Sequence, residues 1–298
     1  MNSKKIVSSG MLLLTACIWG VAFVAQSAGM DYIGPYTFNF VRYFIGAVVL
    51  IPVILFFGRR KSETITEEEI AYKKYTWIGG LCCGMILFVA TILQQFGIIY
   101  TTVGKAGFIT ALYIIIVPIL GMVLKRKIGL QIWVSAVIAV IGFYILCVMG
   151  QFELNKGDVL VLLCAFAFSI HIMIIDYFSP KGNPIQISSI QFAVCSILCG
   201  IGTMLFEVMV WSDIIAAWMP ILYSGVLSSG VAYTLQIVGQ KNMEPTVASL
   251  ILSLESVVAV VAGAILLGET MTVQELIGCS IVFFAIILAQ VPMKSKTS

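Results

Sequence analysis

Residues 89–124 read VATILQQFGIIYTTVGKAGFITALYIIIVPILGMVL, and residues 231–266 read VAYTLQIVGQKNMEPTVASLILSLESVVAVVAGAIL. Aligned at an offset of 142, ten of the 36 pairs are identical: Val89/Val231, Ala90/Ala232, Leu93/Leu235, Gln94/Gln236, Gly97/Gly239, Ala106/Ala248, Ile109/Ile251, Leu112/Leu254, Gly121/Gly263 and Leu124/Leu266. Apolar composition alone gives roughly three or four such matches. The glutamine and glycine pairs are the least expected among them. The front of each half aligns at an offset of 149, where Pro35 meets Pro184, Leu14 meets Leu163, Ala16 meets Ala165, Trp19 meets Phe168 and Arg42 meets Gln191. The polar stretch 58–75 absorbs the seven-residue difference. The chain therefore reads as two related halves, 1–150 and 151–298.

Each half holds five apolar stretches close to the ~20 residues a helix needs to cross a bilayer. The ten stretches are 7–27, 34–57, 76–99, 104–124, 128–148, 157–177, 184–206, 214–239, 246–267 and 271–291. Five is odd, so the second half enters the membrane from the side opposite to the first. The expected fold is an all-α integral membrane protein with ten transmembrane helices arranged as two inverted five-helix repeats. Inverted repeats supply two nearly equivalent packings of one scaffold, with a substrate site near the bilayer midplane between the halves.

Composition agrees. The 298 residues are 60% hydrophobic and 10% charged, against about 25% charged in a soluble domain, and the mean hydropathy is +1.07. A soluble enzyme, a nucleic-acid binder and a disordered chain are excluded on this basis. Cys17, Cys82, Cys83, Cys147, Cys164, Cys195, Cys199 and Cys279 all sit in apolar runs and read as small hydrophobes. Cys195 and Cys199 lie one turn apart, but no histidine or cysteine cluster accompanies them to make a metal site. Leu14-Thr15-Ala16-Cys17 resembles a lipoprotein cleavage box. The apolar run continues past Cys17, so a retained first span is expected.

Lysine and arginine set the orientation. With a cytoplasmic N-terminus, the cytoplasmic side takes Lys4, Lys5, Arg59, Arg60, Lys61, Lys73, Lys74, Lys125, Arg126, Lys127, Lys181, Lys241, Lys294 and Lys296, which is 14 of the 17 basic residues. The far side takes Lys105 and Lys156, and Arg42 is left inside the second span. Both termini are thus expected in the cytoplasm, with the protein multi-pass in the cytoplasmic membrane.

The motifs resemble a known family. Trp19-Gly20, Arg42 after Pro35, Ala106-Gly107-Phe108-Ile109-Thr110, and Leu254-Glu255-Ser256-Val257 through Leu267-Gly268-Glu269 are similar to the EamA repeat of the drug/metabolite transporter superfamily. The order and spacing of the motifs, over nearly the whole chain, carry the resemblance. It implies a ten-helix secondary carrier with a central cavity lined from both halves. One departure is that Lys125-Arg126-Lys127 stands where the second half has Leu267-Gly268-Glu269. The family moves amino acids, metabolites, nucleotide sugars and drugs, so the shared motifs leave the cargo open.

Ionisable groups inside a span are costly and tend to face a cavity or a partner. Glu255, near the middle of the ninth span, could accept a proton or bind a substrate amine; alternatively it ties helices together as a protonated carboxyl. It corresponds to Tyr113 in the first half. Arg42 keeps its proton and could clamp an anionic substrate, pair with Glu255, or pin a helix end. His171, the single histidine, suits proton coupling or simple packing, and Asp176 at its span end reads as solvated. Gln94 and Gln236 could line a cavity or bond between helices. Trp19, Phe23, Tyr113, Phe168 and Tyr233 are candidate cavity walls, with packing as the alternative. Gly79, Gly80 and Gly84, and Ala259 with Gly263, read as close helix contacts. A phosphate-binding glycine loop would need a strand and a Lys-Ser or Lys-Thr, which are missing.

The expected function is a monomeric secondary transporter of a small organic solute, an amino acid or drug-like molecule, working by alternating access. It needs no cofactor or metal, proton coupling is open, and export follows the resemblance. Import by the same fold is the nearest rival. A membrane enzyme would need a polar catalytic cluster, and a channel would need a filter or subunit symmetry. Cysteines introduced by Lys61→Cys and Lys296→Cys are expected to resist a membrane-impermeant thiol reagent applied to intact cells. Labelling at either would overturn the orientation and the inverted repeat with it.

Overall fold

The computed structural model describes residues 3–57, 66–126, 128–148, 155–266 and 273–290. Arg59, Arg60, Lys61, Lys127, Leu267, Gly268, Glu269, Lys294 and Lys296, which entered the orientation and motif readings, lie outside them. Most of the described residues are helical, with no strand among them. The helices are α1 (Ser3–Gly29), α2 (Pro35–Phe57), α3 (Glu67–Ile98), α4 (Val103–Ala111), α5 (Tyr113–Val123), α6 (Leu130–Val148), α7 (Lys156–Phe178), α8 (Pro184–Phe206), α9 (Trp211–Ala216) and α10 (Trp218–Leu222). A π-helical stretch, Tyr223–Tyr233, leads into α11 (Thr234–Gln240), followed by α12 (Pro245–Leu252), α13 (Leu254–Leu266) and α14 (Val273–Gln290).

Among the described residues, eight helical runs are long and apolar enough to cross a membrane, and α6 contributes a shorter apolar run, Leu130–Gly142. Their surface is inverted relative to a soluble protein. Leu55, Ile197, Met204 and Phe284 are exposed, while Thr15, Asn39, Gln95, His171, Gln191 and Glu255 are buried. Apolar side chains thus face the lipid, and polar ones find partners inside.

Local chemistry explains the helix ends and breaks. The third helix starts at Glu67 rather than residue 76. The Thr66 hydroxyl accepts from Glu69 N, and Glu67, Glu68 and Glu69 sit in the first turn, where acids complement the helix dipole. Half of the expected 58–75 loop is therefore helix. Helix α7 opens with a reciprocal capping box between Asn155 and Asp158, at 3.0 Å in each direction. The start of α2 is capped from a distance: Glu207 Oε1 accepts from Tyr36 N at 2.9 Å, and its Oε2 accepts from Thr37 N and the Thr37 hydroxyl at 2.8 and 2.7 Å.

Two expected spans are interrupted. The fourth breaks at Leu112 (φ −60, ψ −10), and the ninth at Ser253 (φ −62, ψ −12). Pro118 in α5 lacks an N–H and crowds the carbonyl of Ile114, past the break at Leu112. In the ninth, Ser249, Ser253 and Ser256 all bond back to carbonyls three residues before them, which bends helices. The eighth span winds as a π-helix at its centre, where the Ser229 hydroxyl bonds the Ser224 carbonyl at 2.8 Å. Asp176 is not simply solvated, because Arg126 pairs with it.

Small residues set the closest approaches. A Cβ on Gly84 would lie 2.6 Å from Val194 Cβ and 2.9 Å from Gln191 O, and one on Gly80 would lie 2.5 Å from Ile190 Cβ, so α3 and α8 touch along this face. At Gly20, a Cβ would meet Val258 Cβ at 2.5 Å and Glu255 O at 2.6 Å, drawing α1 against α13. Gly84→Val is expected to lower stability by about 1–3 kcal/mol through overpacking. Gly10→Ala, with nothing within 4 Å of the added carbon, is expected to be neutral or slightly stabilising. Thermal unfolding in detergent distinguishes the two, and equal effects would contradict this packing.

Candidate functional site

A narrow cavity opens among the helices, lined by Trp19, Phe23, Gln26, Arg42, Gln94, Thr110, Tyr113, Phe168, Ile172, Ser228, Tyr233, Gln236, Leu252 and Glu255. Of the residues singled out in the sequence, Glu255, Arg42, Gln94, Gln236, Tyr113, Trp19 and Tyr233 line it. His171 does not. It is fully buried, with Nε2 3.0 Å from Gln191 Oε1 and its ring edge-on to Phe168 and Tyr233. This geometry matches the packing alternative considered for it.

The broken spans supply one wall. The residue following the first break is Tyr113, and Glu255 is two residues past the second. The Tyr113 hydroxyl donates to Glu255 Oε1 at 2.9 Å. Nearby, Gln94 Nε2 donates to the Thr110 hydroxyl at 3.3 Å. Its counterpart Gln236 is 1% exposed, and its Oε1 has no partner. Both amides therefore reach the same cavity, one of them with unused bonding capacity.

A second wall is cationic and aromatic. Arg42 Nη1 donates to Gln26 Oε1 at 2.9 Å, and Nη2 donates to the Tyr43 hydroxyl at 2.7 Å. The guanidinium carbon lies 4.6 Å from the Tyr43 ring centroid and 5.7 Å from that of Phe38, within reach of a cation–π attraction. Arg42 thus bonds neutral side chains, Gln26 in the last turn of α1 and Tyr43, rather than Glu255. Trp19 closes the space between the walls. Its ring is 4.6 Å from Tyr233, and its Nε1 donates to Ser228 O at 3.3 Å.

Gln26, Thr110, Ile172, Ser228 and Leu252 were not anticipated. Most had a signal. Trp19, Phe23 and Gln26 follow 4-and-3 spacing on one helix face, as do Phe168 with Ile172, Thr110 with Tyr113, and Leu252 with Glu255. Ser228 lies five residues before Tyr233 on the π-helical stretch, and α-helical periodicity cannot pair them. No group of three or more histidine, cysteine or acidic side chains gathers to hold a metal among the described residues.

A cavity with polar groups at its walls, inside a helical bundle with an apolar exterior, suits a membrane transporter. The EamA-like transporter family matches residues 8–148 and again 155–290. The chain belongs to that family. It is 28% identical over 290 residues to an uncharacterized transporter of Archaeoglobus fulgidus, covering 96% of this chain and 86% of that one. It is 24% identical over 285 residues to the uncharacterized transporter YoaV of Bacillus subtilis, covering 93% and 94%. A crystal structure of another protein superposes with a TM-score of 0.75 over 95% of this chain and 96% of that one, at 16% identity, a likeness of fold.

The Tyr113–Glu255 bond joins two buried side chains, so its loss is measurable. Tyr113→Phe is expected to lower stability by about 1–2 kcal/mol, with no further loss when added to Glu255→Leu. Additive losses in thermal unfolding of the two single variants and the double variant would show that the bond contributes nothing.

Proposed function

We propose that the chain is a ten-helix secondary active transporter. It moves a small organic solute, an amino acid or drug-like molecule, across the cytoplasmic membrane by alternating access, in the export direction, with both termini in the cytoplasm. The observation that carries this reading is a cavity lined by counterparts from both halves: Gln94 with Gln236, Tyr113 with Glu255, and Trp19 with Phe168. Two counterpart pairs touch, one in the lining and one beside it. Tyr113 bonds Glu255, and Tyr43 stacks on its counterpart Phe192 at 5.8 Å and 17° between planes. A residue touches its own counterpart only beside a twofold axis, so these contacts support an axis through the core.

The packing supports the same relation. Helix α1 lies against α13, and α7 against α4 and α5; α3 lies against α8, and the π-helical stretch against α2. Each contact has its counterpart after exchange of the halves, while α2–α8 and α6–α14 are their own counterparts. With five spans per half the axis lies in the membrane plane, the arrangement of inverted-repeat carriers. The halves divide at about 150, and the breaks at Leu112 and Ser253 sit where rocking of one half against the other would flex.

Glu255 is the coupling group in this reading, taking a proton when solute leaves and releasing it on the other side. Arg42, Gln94, Gln236, Tyr113, Trp19 and Tyr233 contact solute, and His171 acts from outside the cavity by holding Gln191. In proteoliposomes, Glu255→Gln is expected to abolish uptake driven by a proton gradient while leaving solute exchange intact. Wild-type accumulation by that variant would remove the coupling role. Flux that fails to saturate with any solute would remove the carrier reading itself.

A further inference from the structure

Arg42 is a permanent cation at 2% exposure, and among the described residues no acidic side chain pairs with it. Nη1 and Nη2 donate to the neutral oxygens of Gln26 and Tyr43, and Nε has no partner at all. The ion pairs among the described residues are Lys105–Asp158 and Arg126–Asp176. Glu255 shares the cavity but bonds Tyr113. Glu207, at the N-terminal end of α2, has both oxygens occupied by Tyr36 and Thr37. A buried cation without a counter-charge is costly, and an anion entering the cavity supplies what the protein withholds.

The geometry points to Arg42 as the site that binds the carboxylate of the transported solute, with Gln26 and Tyr43 holding the guanidinium in place. This rests on the reading of the cavity as the solute site. One guanidinium matches one carboxylate. A phosphate dianion would leave a second negative charge without a cationic partner in the cavity lining. Trp19, Phe23 and Phe168 offer an apolar, aromatic bed for the rest of the molecule. The class is therefore a monocarboxylic acid with an aromatic or apolar body. An α-amino acid carries the same carboxylate, with Glu255 available to its ammonium. Organic cations lacking a carboxylate meet the uncancelled charge of Arg42 and are rejected.

Three probes share one ring and differ in charge: 3-phenylpropionate, L-phenylalanine and phenethylamine. Their binding is measured by calorimetry on the full chain in lipid nanodiscs. 3-Phenylpropionate is expected to bind and phenethylamine to fail. Binding of phenylalanine alongside the acid identifies amino acids as a source of the carboxylate, and its failure identifies simple monocarboxylates. Arg42→Gln is expected to weaken the carboxylate ligands by roughly tenfold or more, the ordinary result of removing one partner of a buried charge pair. Gln26→Leu, which keeps the charge, is expected to weaken them less. Phenethylamine binding as tightly as the acid, no binding by either carboxylate, or unchanged affinity in Arg42→Gln would each overturn the assignment. The wild-type series decides the question even if Arg42→Gln does not fold. Saturable flux of a solute that binds independently of Arg42 would end this inference and leave the transporter reading standing. Arg42-dependent binding with no saturable flux would do the reverse.

Discussion

A carboxyl group set among apolar helices needs a hydrogen-bond partner, and Glu255 takes the hydroxyl of Tyr113 at 2.9 Å. Much of the core is arranged around that bond. The two side chains follow the breaks in their spans, and the backbones turn with nearly the same dihedrals at Leu112 and Ser253. A tightened turn inside a helix shifts every later side chain around the axis, so both breaks help bring the two residues face to face. The back of the same segment is fixed by α1. Gly20 comes so close to the Glu255 carbonyl and Val258 that no side chain fits between them.

The surrounding lipid makes this bond consequential. In water an unpaired amide or hydroxyl still finds a partner, whereas inside a bundle with an apolar exterior it finds only other buried groups. The polar residues therefore sort into paired sets: Arg42 with Gln26 and Tyr43, His171 with Gln191, Gln94 with Thr110, and Asp158 with Lys105 and Thr101. The last pair is structural, closing the link between α4 and α7. Unused bonding capacity is shared, since Arg42 Nε, His171 Nδ1 and Gln191 Nε2 all lack partners, and what distinguishes the Arg42 set is its permanent charge.

Much of the fold was legible because membrane helices announce themselves by length. Helices α1, α2, α7 and α8 fall where the apolar runs do. The start of α3 was not, because an acidic run reads as loop until Thr66 is recognised as its cap. The breaks at Leu112 and Ser253 were not visible either, since no helix-breaking residue stands at Leu112 and the serines act on carbonyls three residues away. At the site, residue type exposed Glu255, Arg42 and the glutamine pair, because a charge or amide in an apolar run has few explanations. His171 satisfied the same test but bonds Gln191 outside the cavity, and residue type does not tell which side of a helix faces space. Ser228 was hidden by the π-helical winding, whose five-residue period no α-helical template matches.

The two halves share a scaffold and differ in chemistry, and the difference falls where the cavity is. Arg42 stands opposite Gln191 in the alignment, Glu255 opposite Tyr113, and Trp19 opposite Phe168. On α1 and α2 the buried polar pair is Gln26 with Arg42. On α7 and α8 it is His171 with Gln191, and Gln26 lies one helical turn beyond the counterpart of His171. The same helix pair thus carries a charge in one half and none in the other. If the halves exchange conformations as proposed, the packing of each can be reproduced by the other, so the two states lie close in energy. The charge cannot be exchanged in this way. In the proposed cycle Arg42 and Glu255 stay in the one shared cavity, so the same two groups would meet the solute whichever side is open, and the near-symmetry of the backbone would decide only which side that is.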